Sequence, residues 1–245
     1  MADYRWNLSE FAVAYDESAE HIHPHYLELQ DAILTRLALP HDSNAMIVDA
    51  GGGSGRLMER ILDRWPRASG LVVDQSEAFL AIAERKLARF VSRAVCLQSR
   101  LQDDWWEKLP SAPVAIVSMS AIHHLDAAEK QAFYRRCSAA LAPGGVVLNG
   151  DEVRPTEDAE YLRRLEAWTV KMQSGIQSGS ISPLFQGALE RFVERNIDRF
   201  GQAKASGDDC HETIEAQLGY LRAAGLALTD APWQREMWAL LRGVK

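Results

Sequence analysis

This sequence predicts an α/β fold with a doubly wound, mostly parallel sheet, and three observations carry the prediction. Short apolar runs alternate with amphipathic helical stretches from about residue 45 to residue 151. The first run, Ala45-Met46-Ile47-Val48, leads through Asp49-Ala50-Gly51-Gly52-Gly53-Ser54-Gly55 into a helical pattern with Leu57, Ile61, Leu62 and Trp65. A second run, Gly70-Leu71-Val72-Val73, ends in Asp74. Strand–helix alternation of this kind gives parallel pairing with helices on both faces of the sheet.

Taken in order, residues 11–20 read as a short helix, and Pro24 breaks it. Tyr26, Leu29, Gln30, Ile33, Leu34 and Leu37 share one face of a second helix closed by Pro40. Strands are predicted at 46–49, 71–74, 94–97, 114–119 and 146–149. Residues 127–141 form a helix with Phe133, Cys137 and Ala140 inward, and Pro143-Gly144-Gly145 turns the chain into the fifth strand. After Asp151 the alternation stops, and 155–217 reads as helical apart from a flexible hinge or loop at 175–182. Leu184, Phe185, Ala188, Leu189, Phe192, Val193, Ile197 and Phe200 make a helical stripe whose plain role is packing. A helix at 211–224, ended by Gly225, precedes strands at 226–229 and 237–241, linked through Pro232 as an antiparallel pair. One domain is expected over 1–245: an N-terminal helical lid (1–40), a ligand-binding half (45–151), a helical cap (155–210) and a closing helix with strands (211–245).

Composition narrows the partners. Of 245 residues, 47% are apolar and 25% charged, which fits a globular chain with a sizeable core. The net charge of −7 argues against a nucleic-acid backbone as the main partner. The cap is acidic too, with eight Lys/Arg against eleven Asp/Glu over 151–210. Cys96, Cys137 and Cys210 lie far apart and read as reduced thiols. With no apolar leader or membrane-length stretch, a cytoplasmic protein is expected, away from membranes and compatible with a homo-oligomer.

The glycine run is the most informative stretch. Glycine accepts positive φ and leaves no side chain between backbone and ligand. The helix that follows directs free N–H groups and partial positive charge at the turn. A tight turn with no ligand is the plain alternative. Asp74, twenty-one residues past Gly53, can accept a ribose diol, and Asp74, Ser76 or both can cap the next helix; the two roles are compatible. A nicotinamide site is disfavoured. With Gly51 and Gly53 as the first two glycines of G-x-G-x-x-G, the third position is Arg56.

Four motifs in order resemble the class I S-adenosylmethionine-dependent methyltransferases. They are Val48-Asp49-Ala50-Gly51-Gly52-Gly53-Ser54-Gly55, Asp74, Ser120-Ala121-Ile122-His123-His124-Leu125, and Leu141-Ala142-Pro143-Gly144-Gly145. The resemblance implies a Rossmann-like, seven-stranded sheet with an antiparallel terminal strand. It also implies S-adenosyl-L-methionine as cofactor. By the same resemblance, Gly51, Gly53 and Gly55 lie against the methionine part and Asp49 orients its amino group. Asp74 holds the ribose hydroxyls, with Gln75 beside it. Leu101 packs on adenine, and Ser120 and Tyr15 complete the cofactor contacts. The family's acidic adenine contact after the third strand falls at Ser99 or Arg100, so Gln102, Asp103 or a backbone carbonyl must replace it.

Methyl transfer from a sulfonium needs alignment and water exclusion more than a strong base. His123 is the catalytic candidate, as general base or as pocket floor, with His124 beside it packing or capping. Asp151 and Glu152 either contact substrate or a cation, or pair with Arg154 and cap the next helix. His21-Ile22-His23-Pro24-His25 invites a metal reading, but Pro24 breaks the alternation and no metal is expected. By the same family resemblance the segment is a lid joint whose Tyr15, His23 or Tyr26 closes over the cofactor. Trp105, Trp106, Trp168, Phe185 and Trp233 are candidates for an acceptor pocket suited to a small molecule methylated at O or N. The alternatives are a tRNA-modifying or carboxy-S-adenosylmethionine synthase-like enzyme, or a non-catalytic cofactor-binding regulator.

Overall fold

A computed structural model describes residues 7–245; residues 1–6 of the expected lid lie outside the described residues. Seven strands are present: β1 (Met46–Ala50), β2 (Ser69–Asp74), β3 (Ala94–Gln98), β4 (Ala115–Met119), β5 (Val146–Glu152), β6 (Leu228–Arg235) and β7 (Trp238–Val244). They form one sheet in the order β3-β2-β1-β4-β5-β7-β6. β1 to β5 pair in parallel, and β7 runs antiparallel to both β5 and β6.

Side chains alternate across the strands, so each face buries its own set. Ile47, Val72, Val117 and Leu148 face one core. It is closed by α2 (Tyr26–Leu37), α3 (Arg56–Arg64) and α4 (Glu77–Leu87). Val48, Val73, Ile116 and Val147 face the other, under α5 (Ala127–Ala140) and α8 (Ile214–Ala223). An Asp126–Glu129 capping box starts α5, and Thr213 caps α8. α1 (Ser9–Ile22) packs on α6 (Asp158–Ser178), which is followed by α7 (Gln186–Val193). The Phe11 and Phe185 rings sit 4.7 Å apart, and Trp168 Nε1 donates to the Ile22 carbonyl at 3.0 Å. No helix among the described residues is long and apolar enough to cross a membrane.

Four boundaries differ from expectation. α6 runs to Ser178 and stops at Gly179 (φ +78°), so Gly175 is helical rather than part of a hinge. Helical structure does not continue to residue 217: a π turn at Glu194–Asp198 ends it, and α8 begins only at Ile214. Pro232 lies inside β6 and not between the strands; β6 is the sheet edge, and Pro232 falls at a register shift between Asp230 and Trp233. An edge strand with a bulge tolerates the missing N–H. β5 reaches Glu152 because β7 pairs along its whole length, Asp151 with Ala239 and Glu152 with Trp238. Both acidic side chains are thereby fixed on a strand.

Candidate active site

The carboxyl ends of β1, β2, β4 and β5 open into a cavity of about 680 Å³. Gly51 (φ +73°), Gly53 (φ +53°) and Gly55 (φ +77°) all need positive φ. A Cβ on Gly51 would stand 2.5 Å from the Ala121 Cβ, whereas one on Gly53 would meet nothing within 4 Å. Gly51 is therefore small to fit the protein, and Gly53 leaves room on the cavity side. Asp74 fixes the loop: its Oδ2 accepts the Gly53 N–H at 2.9 Å and its Oδ1 the Ser76 N–H at 2.8 Å. Ser76, not Asp74, caps α4, by accepting the Phe79 N–H at 3.1 Å.

Several buried polar atoms facing this cavity have no hydrogen-bond partner: both oxygens of Asp49, Ser120 Oγ, His23 Nδ1 and Gln30 Nε2. Buried polar groups are ordinarily paired, so such a concentration marks a place built for a polar ligand. Burial, then the neighbouring Asp74 charge, pushes the Asp49 carboxyl up to about 7; the Met58 amide, outside hydrogen-bond geometry, offsets little of this. An ammonium group placed there would hold the carboxylate ionised. Ser120 takes φ +51°, a costly conformation for a residue with a side chain, and this one lines the cavity. The residues present thus fit a cofactor with an amino-acid end and a ribose.

Helix α1 is tied to the glycine loop through a residue the sequence reading did not single out. Asp16 accepts from Ser54 Oγ at 2.5 Å, Arg56 Nε at 2.9 Å and Lys86 Nζ at 2.8 Å. These partners hold its carboxyl below the usual range despite burial. Arg56, which displaces the third dinucleotide glycine, is used here to dock the N-terminal helix. Tyr15, the residue before Asp16, reaches the cavity and hydrogen-bonds His23 Nε2 at 2.6 Å.

At the opposite end of the cavity β5 meets the segment after β4. Asp151, fully buried, contacts His123 Nδ1 through Oδ1 at 2.7 Å and accepts its backbone N–H through Oδ2 at 2.9 Å. The imidazole is held so that Nε2 is the remaining ring nitrogen, 4.0 Å from Asp209 Oδ1. Glu152 contacts His211 Nε2 at 2.9 Å and stands 3.5 Å from His23 Nδ1. Tyr161 Oη contacts His211 Nδ1 at 2.7 Å. Burial alone would lower the His123 pKa, but the carboxylates of Glu152, Asp151 and Asp209 outweigh it and raise it to about 9. General-base action by the free imidazole is therefore shifted well above the ordinary histidine range. His124 moves the other way, to about 4, through burial and the charge on His123. The expected pairing of Asp151 or Glu152 with Arg154 is absent, because Arg154 pairs with Asp158.

Of the residues predicted from sequence, Asp49, Gly51, Gly53, Asp74, Gln75, Leu101, Gln102, Ser120, Tyr15 and His123 all line this one cavity. Gly55 stands just behind, as the N-cap of α3. Arg100 and Gln102 border the cavity, while Asp103 is turned away and accepts the Arg100 amide at 3.2 Å. Trp168 and Phe185 line the cavity. Trp105 and Trp106 do not: Trp105 is fully buried against Phe133, and Trp233 sits on edge strand β6 against His25. The three alternating histidines also diverge: His23 is buried in the site, His21 is exposed, and His25 contacts Glu28 at 3.1 Å. Asp209 and His211 were missed. The amides of Gly207 and Cys210 bond the carbonyls of His124 and His123, each at 2.8 Å, and carry them in.

Residues 47–145 match the family described as "Methyltransferase domain". The chain is 31% identical over 163 residues to 2,7-dihydroxy-5-methyl-1-naphthoate 7-O-methyltransferase of Streptomyces carzinostaticus, covering 64% of this chain and 47% of that protein. It is 34% identical over 117 residues to trans-aconitate 2-methyltransferase of Variovorax paradoxus, covering 47% of this chain and 40% of that protein. The matches thus span about half or less of these relatives' lengths. In solved structures, an O-methyltransferase family protein from Burkholderia thailandensis shares the fold with a TM-score of 0.62 at 17% identity, over 98% of this chain and 61% of that one. Residues 47–145 are thus similar to a methyltransferase domain, and the whole chain has the fold of an O-methyltransferase family protein.

Proposed function

We propose that this chain transfers the methyl group of S-adenosyl-L-methionine to an oxygen or nitrogen of a small-molecule acceptor by direct displacement. One observation carries the reading: a single cavity joins the unpaired Asp49 carboxylate and the open Gly53 backbone to the Asp151-held imidazole of His123. The cofactor, when bound, supplies a methyl group already activated by sulfonium charge. Asp49 receives its ammonium group, Asp74 its ribose hydroxyls, and Gln75, Leu101 and Gln102 its base. Ser120 lies on the floor of the cavity, and Tyr15 closes it from α1. Trp168, Phe185, Leu189 and Phe192 exclude water from the acceptor side, so α1 and the cap act together as a lid. His123 is the catalytic residue, its Nε2 holding the acceptor atom in line with the methyl carbon.

The names of the two relatives support an acceptor bearing a carboxylate. On the cap wall Arg195 already pairs with Asp208 at 3.0 Å, and Arg191 borders the same cavity at an exposed position. Arg191 suits an acceptor carboxylate. The test is incubation with S-adenosyl-L-methionine and a panel of hydroxylated aromatic acids and small polycarboxylic acids, read by mass spectrometry. The expected result is a singly methylated acceptor with an equal amount of S-adenosylhomocysteine. Tight cofactor binding with no methylated product from any panel member would instead favour a regulatory binding role.

A further inference from the structure

We propose that His123, Glu152 and His211 form a site for one divalent transition-metal ion of the zinc type on the floor of the cavity. Each offers a ligand atom, and the three atoms lie within 4.8 Å of one another. All three residues are buried, at 4%, 6% and 7% exposure. Two imidazoles with one carboxylate suit zinc or its neighbours better than calcium or magnesium, which prefer oxygen.

The surroundings of the cluster strengthen the assignment. Each imidazole is anchored at its far nitrogen, His123 Nδ1 by Asp151 at 2.7 Å and His211 Nδ1 by Tyr161 at 2.7 Å. Both Nε2 atoms are thereby left for the cluster. Outer partners of this sort fix the tautomer and direction of metal-binding histidines. A further buried nitrogen points at the same carboxylate: His23 Nδ1 lies 3.5 Å from Glu152 Oε1 and makes no hydrogen bond. Asp151, Glu152 and Asp209 gather negative charge here, which a divalent ion offsets.

Ligand atoms bound tetrahedrally to zinc at about 2.0–2.1 Å stand roughly 3.4 Å apart. Glu152 and His211, at 2.9 Å, must part slightly, and His123 must move in. His123 and Glu152 line the cavity, so the open side of the ion faces the acceptor. In the loaded site the ion takes the place of His123 Nε2 in meeting the acceptor atom, and as a Lewis acid it would polarise an acceptor oxygen.

The site can be tested without an acceptor. Chelator-treated full-length protein is titrated with Zn²⁺ by calorimetry and with Co²⁺ by visible absorption, and S-adenosylhomocysteine binding is measured in parallel. One equivalent of each metal should bind, and His211→Ala should weaken Zn²⁺ about a hundredfold or more. Tyr161→Phe keeps every ligand and guards against misfolding of the first variant; it should weaken Zn²⁺ about tenfold. His21→Ala, at an exposed histidine, should change nothing. Absence of stoichiometric metal binding, or equal affinity in both site variants, would overturn the ion and leave a hydrogen-bonded cluster. Intact S-adenosylhomocysteine binding alongside that failure would leave the methyl-transfer reading standing.

Discussion

Asp151 holds His123 at two points, its Oδ1 2.7 Å from the ring Nδ1 and its Oδ2 2.9 Å from the backbone nitrogen. The carboxylate also accepts the Glu152 amide at 2.9 Å, so it cannot swing away. Asp151→Asn keeps the shape but loses a charge-assisted bond and places an N–H donor against a donor. Acceptor kcat/KM should fall about 10- to 100-fold. Affinity for S-adenosylhomocysteine should stay within a factor of about two, since the residue lies at the acceptor end. Steady-state kinetics and calorimetry on the same preparation check both halves.

If Asp49 receives the cofactor's ammonium group as proposed, cofactor binding and stability should depend on pH in opposite senses. Its folded pKa, about 7, is raised above the ordinary carboxyl value. Its contribution to stability is therefore fully present below the unfolded pKa of about 3.9 and is lost as pH rises through about 7. Thermal melting of the free protein should show this loss, and Asp49→Asn should abolish it. Cofactor affinity should rise over the same interval, because binding of an ammonium group needs the ionised carboxylate. Calorimetry at about pH 6 and about pH 8 reads the change.

Asp74 holds the loop through the Gly53 and Ser76 amides, and the proposed cofactor site gives it the ribose hydroxyls as well. Asp74→Ala should cost about 1.5–3 kcal/mol of cofactor affinity if a charged acceptor of ribose hydroxyls is lost. The free protein should melt lower as well, since the Gly53 and Ser76 amides lose their acceptor. A lower melting temperature with unaltered affinity would assign Asp74 to the loop alone.

Asp16 is the tether of the N-terminal helix. Asp16→Ala removes the shared partner of Ser54, Arg56 and Lys86. Hydrogen exchange over Ser9–Ile22 should quicken while the sheet stays protected. Binding of S-adenosylhomocysteine should slow exchange in this helix and in the cap of the parent protein. Protection changes confined to residues 49–55 and 74 would make α1 a fixed support rather than a lid.

What the sequence made legible was local. Strand, glycine turn and helix are neighbours in the chain, and their geometry follows from residue type within a dozen positions. Asp74 could be placed because a strand ends there. The end of the cavity opposite the glycine loop was legible only in its β4 and β5 segments. His123 was visible, and Asp151 with Glu152, but their mutual contact depends on β5 running two residues past Gly150 under the pull of β7. His211, Asp209 and Asp16 come from segments far away in the chain. Residues 199–213 carry no regular period, so an apparent helix concealed a loop that delivers two site residues. Trp105 and Trp106 show the reverse failure, because composition does not say which face of the sheet an aromatic side chain joins.

Calorimetric titration with S-adenosylhomocysteine decides whether the cavity between Asp49 and His123 holds S-adenosyl-L-methionine. The parent chain should bind one equivalent. Gly53→Val should bind at least about tenfold more weakly with an unchanged far-ultraviolet spectrum, because the side chain fills the space left open beside the loop. No binding by the parent, or equal affinity in the variant, would rule out this cavity as the cofactor site.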